Sequence, residues 1–212
     1  MAALWCHAIM YGYIHRHDEP PRERMVASAA LLIRERGAQS TAIADVLAHS
    51  GGAPRGSAYH YFPGGRAQLL SEAVDYVADF VADKLAKASN SLEMLDGLTR
   101  FYRKNLLETD YRAGCPVVAV AVESGEPDNA NPVIDRAAEA FTRWNDLIAA
   151  RLMADGIAKD RADEMAVTTT AALEGAIVLA RAARDTKPLD IVHRQLRDLL
   201  EAELPLRRSD VR

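Results

Sequence analysis

Residues 51–65 read "GGAPRGSAYHYFPGG". Paired glycines open and close the stretch, and Pro54 supplies the fixed φ suited to a first helical turn. The pattern predicts a short helix to about Phe62, stopped by "PGG". At 100° per residue Ala58 and Phe62 share a face, and Ala53 at the turn joins them as an inward contact. Arg55, Ser57, Tyr59, His60 and Tyr61 are left for the other faces. Each can donate a hydrogen bond from a flat or slim body, and phosphate oxygens accept such bonds. Arg55 and the free N–H groups of the helix start add positive potential. Gly56, without a Cβ, leaves room for close backbone approach. A helix of this width enters a major groove, so the aromatics make sense as a surface that a duplex covers. The plainer alternative packs Tyr59 and Tyr61 against neighbouring helices.

Upstream, "RERMVASAALLIRER" (22–36) sets Met25, Val26, Ala29, Leu32 and Ile33 on one helical face, between Pro20–Pro21 and Gly37. A second helix at about 41–49 carries Ile43, Val46 and Leu47, with Ser40 or Thr41 as its cap. Three short helices with a tight glycine turn between the second and third form a helix-turn-helix pattern. Downstream, helices are expected near 65–88, 91–108, 116–125, 131–155, 160–185 and 188–203. "CPVVAVAVE" (115–123) has the β-branched content of a buried strand, but no partner strand is visible, which favours a buried helix. The fold class is all-α.

The stretch "TAIADVLAHSGGAPRGSAYHYFPGGRAQLL" (41–70) resembles the N-terminal domain of TetR-family transcriptional regulators. "PRGSAYHYFPGG" and "GCPVVAVAVE" are similar to the branch containing the LmrA/YxaF-type drug-responsive repressors. The resemblance implies an N-terminal three-helix helix-turn-helix DNA-binding domain at 21–66. A C-terminal helical domain at 67–205 would bind an effector and dimerise. Tails at 1–20 and 206–212 flank them. It implies that Thr41 touches a phosphate and that Arg66 reaches another from the next helix. Arg55, Ser57, Tyr59, His60 and Tyr61 would form the recognition surface, with Ser57 and His60 reading bases and Tyr59 and Tyr61 holding phosphates. The sequence departs from the family at Ala53, usually Val, and Ala58, usually Leu, which removes core volume.

The resemblance implies two further tasks. For dimerisation, Val167, Ala171, Gly175 and Val178 offer one apolar surface, and Ile191, Leu196 and Leu199 a second stripe. Two such helices against their symmetry mates make a four-helix interface, and a two-fold dimer reads a palindrome. For sensing a small-molecule effector, the candidates are Phe101, Tyr102, Tyr111, Glu123, Phe141, Trp144 and Glu174. A buried carboxylate among them would favour a cationic ligand, or would be protonated. Each of these has a plain structural alternative, since aromatics at helical spacing usually pack a core.

Composition sets the remaining bounds. The 212 residues carry a net charge of −4, split into +2 over residues 1–66 and −6 over the rest. That split suits an N-terminal part that meets an anion. Cys6 and Cys115 are too few for a disulfide framework, which suggests a reducing cytoplasm. Cys115 beside Gly114 reads as a packed thiol rather than a redox sensor. No run of residues reads as a membrane span of roughly 20 apolar residues. "MAALWCHAIMYGYIHRHDEP" (1–20) lacks the order of a secretory signal, and His15 and His17 have no partners that would make a metal site. Metal and cofactor are expected to be none. No nucleophile elbow, zincin helix or phosphate loop appears, so an enzyme is disfavoured. The alternative function is a helical interaction adaptor whose headpiece has lost DNA binding.

Overall fold

Pro20 and Pro21 start the first helix where a missing N–H costs nothing. In the computed structural model, which describes residues 20–52, 55–123 and 132–205, every regular element is a helix. In chain order these are α1 (Pro21–Arg36), α2 (Ile43–His49), α3 (Arg55–Tyr61), α4 (Gly65–Lys87) and α5 (Ser91–Glu108). They continue with α6 (Pro116–Ala121), α7 (Pro132–Ala154), α8 (Lys159–Ala183) and α9 (Lys187–Glu203). The segment "CPVVAVAVE" is therefore helical, with Pro116 in its first turn. The tails at 1–19 and 206–212, with His15, His17 and Cys6, lie outside the described residues, as does Ala53.

Two compact units divide the chain, and neither follows chain order. One comprises residues 1–80 and 113–140, the other 81–112 and 141–212. In the first unit α1 packs against both α2 and α6. This changes the reading of α1. The sequence pattern gives it one apolar stripe including Leu32, yet Met25 through Leu31, Ile33 and Arg34 are all buried and Leu32 is half-buried. Small residues at 27–30 let neighbours approach on several sides, and Tyr76 of α4 packs on Ala27 and Leu31. A helix covered on most faces no longer shows a single stripe.

In the second unit α5, α8 and α9 pack on one another. Asn90 caps α5 by accepting from the Glu93 N–H at 2.9 Å, and Glu93 accepts from the Ser89 N–H at 2.9 Å. By length and mean hydropathy (1.3 over 18 residues) α8 is apolar enough to cross a membrane, contrary to the sequence reading. Its Ala, Val, Leu and Ile content raises the mean. Ala162, Met165, Ala166, Thr169, Leu173, Ala176, Ile177 and Ala180 use that apolarity for burial within the unit.

Asp96 of α5 ties down α9. It accepts from Arg197 Nη1 at 3.0 and 3.1 Å and lies 2.7 Å from His193 Nε2. Burial opposes its charged form, but the bonds from His193 and Arg197 outweigh burial and hold the carboxyl below the usual aspartate range. A depressed native pKa means that the pair's stabilisation is present above the unfolded value of about 3.9. It is lost as pH falls through the native value. Asp96→Asn should therefore lower the melting temperature at pH 7, and its gap to wild type should narrow as pH falls below the unfolded value of about 3.9. Equal gaps at both pH values would show that the carboxylate charge is not what ties α9 to α5.

Candidate nucleic-acid interface

The face of α3 sorts by chemistry. Ala58 and Phe62 are 1% exposed, and the Arg22 guanidinium lies 5.2 Å from the Phe62 ring centre. Ala58 is thus an inward residue. On the other side Tyr59 is 62% exposed, and His60 is exposed as well. Tyr61 and Ser57 are half-buried. The His60 and Tyr61 rings meet edge to face at 5.2 Å, which holds both in a defined pose. Nothing lies within 4 Å of where a Gly56 Cβ would sit, so open space adjoins the backbone there. The α2–α3 turn uses Gly51 at φ +108° and Gly52 at φ +80°, conformations that side chains rarely adopt. The side chain of Arg55 lies outside the described residues.

One expected phosphate contact is corrected. Thr41 is 0% exposed, and its hydroxyl donates to the Gly37 carbonyl at 2.7 Å. A hydroxyl sealed in this way reaches no phosphate. Nor is it the cap of α2. That position is Ala42, whose N–H donates to Asp45 Oδ2 at 3.3 Å. Arg66 is exposed, and two of its nitrogens brace the fold. Nε donates to the Thr41 carbonyl at 2.8 Å, and Nη2 donates to the carbonyls of Ala38 and Gln39, the latter at 3.2 Å. It holds the α1–α2 turn from the side of its carbonyls.

Glu123 holds the same turn from the side of its amides. Its carboxylate accepts from the Gln39 N–H at 3.0 and 3.1 Å. This corrects its reading as a ligand contact. The residue lies in the first unit, just beyond α6, and its acceptors are occupied by backbone. The Gly114 N–H donates to the Arg34 carbonyl at 3.0 Å, a second stitch between the same segments. Gly37 makes the approach possible. It sits at φ +87°, and a Cβ there would overlap Glu123 Oε1. Gly37→Ala should therefore destabilise the protein by about 1–3 kcal/mol, combining left-handed strain with the displaced carboxylate. A denaturant midpoint unchanged from wild type would contradict this.

The chain is 64% identical over 190 residues to the HTH-type transcriptional regulator MT0206 of Mycobacterium tuberculosis, covering 88% of this chain and 97% of that one. It belongs to the TetR family of transcriptional regulators. Residues 91–195 match the family described as "Transcriptional regulator LmrA/YxaF-like, C-terminal domain". The regulator is 28% identical over 184 residues to the HTH-type transcriptional regulator LmrA of Bacillus subtilis, covering 85% of this chain and 96% of that one. A TetR-family regulator of Chloroflexus aurantiacus superposes with a TM-score of 0.67 at 27% identity, covering 87% and 96% of the two chains. A regulatory protein TetR from Rhodobacter sphaeroides shares the fold with a TM-score of 0.72 at 22% identity, covering 84% and 97%.

Within the second unit of this TetR-family regulator lies a partly open cavity of about 20 Å³, space for roughly one water. Helices α4, α5, α7 and α8 line it. Several present i, i+4 pairs: Leu98 and Tyr102 on α5, Trp144 and Ile148 on α7, Thr170 and Glu174 on α8. Three of the expected ligand residues, Tyr102, Trp144 and Glu174, thus come together. Phe101 and Phe141 stand one layer back, each edge to face with a lining ring, at 5.1 Å from Tyr102 and 5.5 Å from Trp144. Tyr111 is not a lining residue. It sits after α5 at φ +58°. Sequence reasoning missed Ile148 and Thr170. Their signal was spacing alone, one helical turn from Trp144 and Glu174.

The interface candidates divide by exposure. Val167, Ala171, Gly175 and Val178 recur along one face of α8, and all are exposed, Val178 by 51%. Leu179 beside them and Ile191 of α9 extend the apolar surface. Leu199 is half-buried. Leu196 is 5% exposed and packs within its own unit, so it has little surface left for a partner.

Proposed function

We propose that this TetR-family regulator is a homodimer that represses from a palindromic operator and releases it when a small molecule enters the second unit. Residues 21–66 would contact DNA and 67–205 would sense and dimerise, in the cytoplasm where the operator lies. The observation that carries the DNA half is the exposed Tyr59–His60 edge of α3 above buried Ala58 and Phe62. Such a short helix reads few base pairs, so useful specificity needs two copies with half-site centres about 34–36 Å apart or a multiple of that.

The exposed apolar stripe of α8, continued by Ile191, supports pairing by those helices. Small residues Ala171 and Gly175 at its centre allow close helix approach. The cavity between α4, α5, α7 and α8 supports sensing. A ligand that binds one conformation better shifts the equilibrium by its differential affinity, typically 1–3 kcal/mol of coupling.

The test is selection of bound duplexes from a random pool, followed by titration of the winner at several salt concentrations. The expected result is a palindrome occupied by two protomers, with affinity falling steeply as salt rises. No preference over random duplex, with the fold intact, would favour the adaptor reading instead.

A further inference from the structure

Helix α9 has a bound side and an outer side. On the bound side Leu189, Leu196 and Leu200 are buried, and His193 and Arg197 hold Asp96 of α5. On the outer side Lys187, Ile191, Arg194, Gln195, Asp198 and Ala202 are all exposed. At the helical period they share one arc of about 100°. Charge runs along this arc in order, with Lys187 and Arg194 first and Asp198 after them. Arg197 takes both Asp96 and Glu201, each at 3.0 Å, whereas Arg194 and Asp198 form no ion pair among the described residues. A lone helix disfavours this order. Its dipole prefers acids first and bases last, and an acid four residues before a base pairs better than the reverse.

The order does fit a second copy of the same face. Under a two-fold axis each contact is made twice, residue i to j and j to i. Arg194 and Asp198 lie one turn apart, about 6 Å along the axis. Antiparallel copies crossing midway between them set each Arg194 opposite the partner's Asp198. Parallel copies would set like charge on like. Gln195, beside the crossing, carries both a donor and an acceptor and can pair with its own copy. The face also continues the apolar stripe of α8. Arg161, early in α8, pairs with Glu203 at the end of α9 at 2.7 Å, so the two helices run antiparallel. Going from Ile191 to Asp198 therefore passes α8 from its Val178 end toward its Val167 end.

We propose that this face of α9 selects the partner in the homodimer. Two copies of α9 cross antiparallel, with Arg194 of each protomer paired to the partner's Asp198. This rests on the dimer reading, and it names the contact, its register and its partner, a second copy of this chain. A related regulator with a similar apolar stripe but another charge order would meet like or unmatched charges here and be rejected.

The test uses the full-length protein, with Arg194→Asp and Asp198→Arg made separately. Either alone sets like charges at both contacts, so sedimentation over a concentration series should show its dimer dissociation constant raised about tenfold or more. Mixed one to one, the two variants face each other with opposite charges at both contacts. Native mass spectrometry should then show heterodimer well above the share that random pairing gives. A chain carrying both substitutions should dimerise as tightly as wild type. Circular dichroism checks each fold. The proposal is overturned if the folded single variants dimerise as tightly as wild type. It is also overturned if their mixture gives no excess of heterodimer, or if the double variant stays as weak as the single ones. In each of these cases a wild-type dimer keeps the dimer reading and places its seam elsewhere. A wild-type chain that is monomeric at every concentration would reject both.

Discussion

Alanine at both Tyr59 and His60 should lower operator affinity by about 10²-fold or more, with melting temperature nearly unchanged. The asymmetry follows from where the side chains stand. Tyr59 is 62% exposed and His60 is exposed, so neither contributes much to the core. Surface substitutions of that kind usually change stability by less than about 0.5 kcal/mol. Each lost contact to a base or phosphate is worth about 1–3 kcal/mol, and a dimer loses it twice. His60→Ala alone should relax sequence preference at one position of each half-site. Tyr59→Ala should weaken all sequences alike. Duplex titration in one fixed salt concentration separates the two, since ionic strength moves every such affinity. If the double variant binds the selected palindrome as wild type does, α3 is not the reading helix.

Glutamate at Val178 should separate the protomers of the proposed dimer. Val178 lies on the exposed stripe with Ala171 and Gly175, so within one chain the substitution meets water and is tolerated. At a two-fold contact it would bury a carboxylate from each protomer in an apolar seam. Desolvation of an ion in such a seam costs several kcal/mol. The dimer dissociation constant should rise by about 10³-fold or more. Operator affinity should fall with it, because one headpiece then reads a single half-site. Light scattering across a concentration series measures the first effect, and titration of the palindrome the second. A dimer that persists at low micromolar concentration would place the contact elsewhere.

Helix positions were legible because glycine, proline and apolar spacing act locally. The starts at Pro21, Pro116 and Pro132 and the glycines at 51, 52 and 65 are visible in single residues and realised in the fold. The inward pair Ala58–Phe62 follows from helical period alone, as does the exposed stripe of α8. What stayed hidden depends on partners far along the chain. Arg66 meets carbonyls 25 to 28 residues earlier, and Glu123 meets an amide 84 residues earlier. No local pattern distinguishes a carboxylate that braces a distant turn from one that awaits a ligand. The burial of α1 on nearly every side was hidden for the same reason, since α6 is what covers one flank. Leu196 shows the converse limit, because an amphipathic stripe does not say whether its partner is the same chain or another copy.

The contact of Glu123 and Gly114 with the headpiece has a practical consequence for rebuilding such proteins. A fragment cut after α4 would strip the flank of α1 and remove the carboxylate that braces residue 39. Transplanting this reading head onto a different sensor therefore means moving two stretches of chain together, roughly 20–80 and 113–123. A graft of the first alone would carry the right letters on a loosened frame.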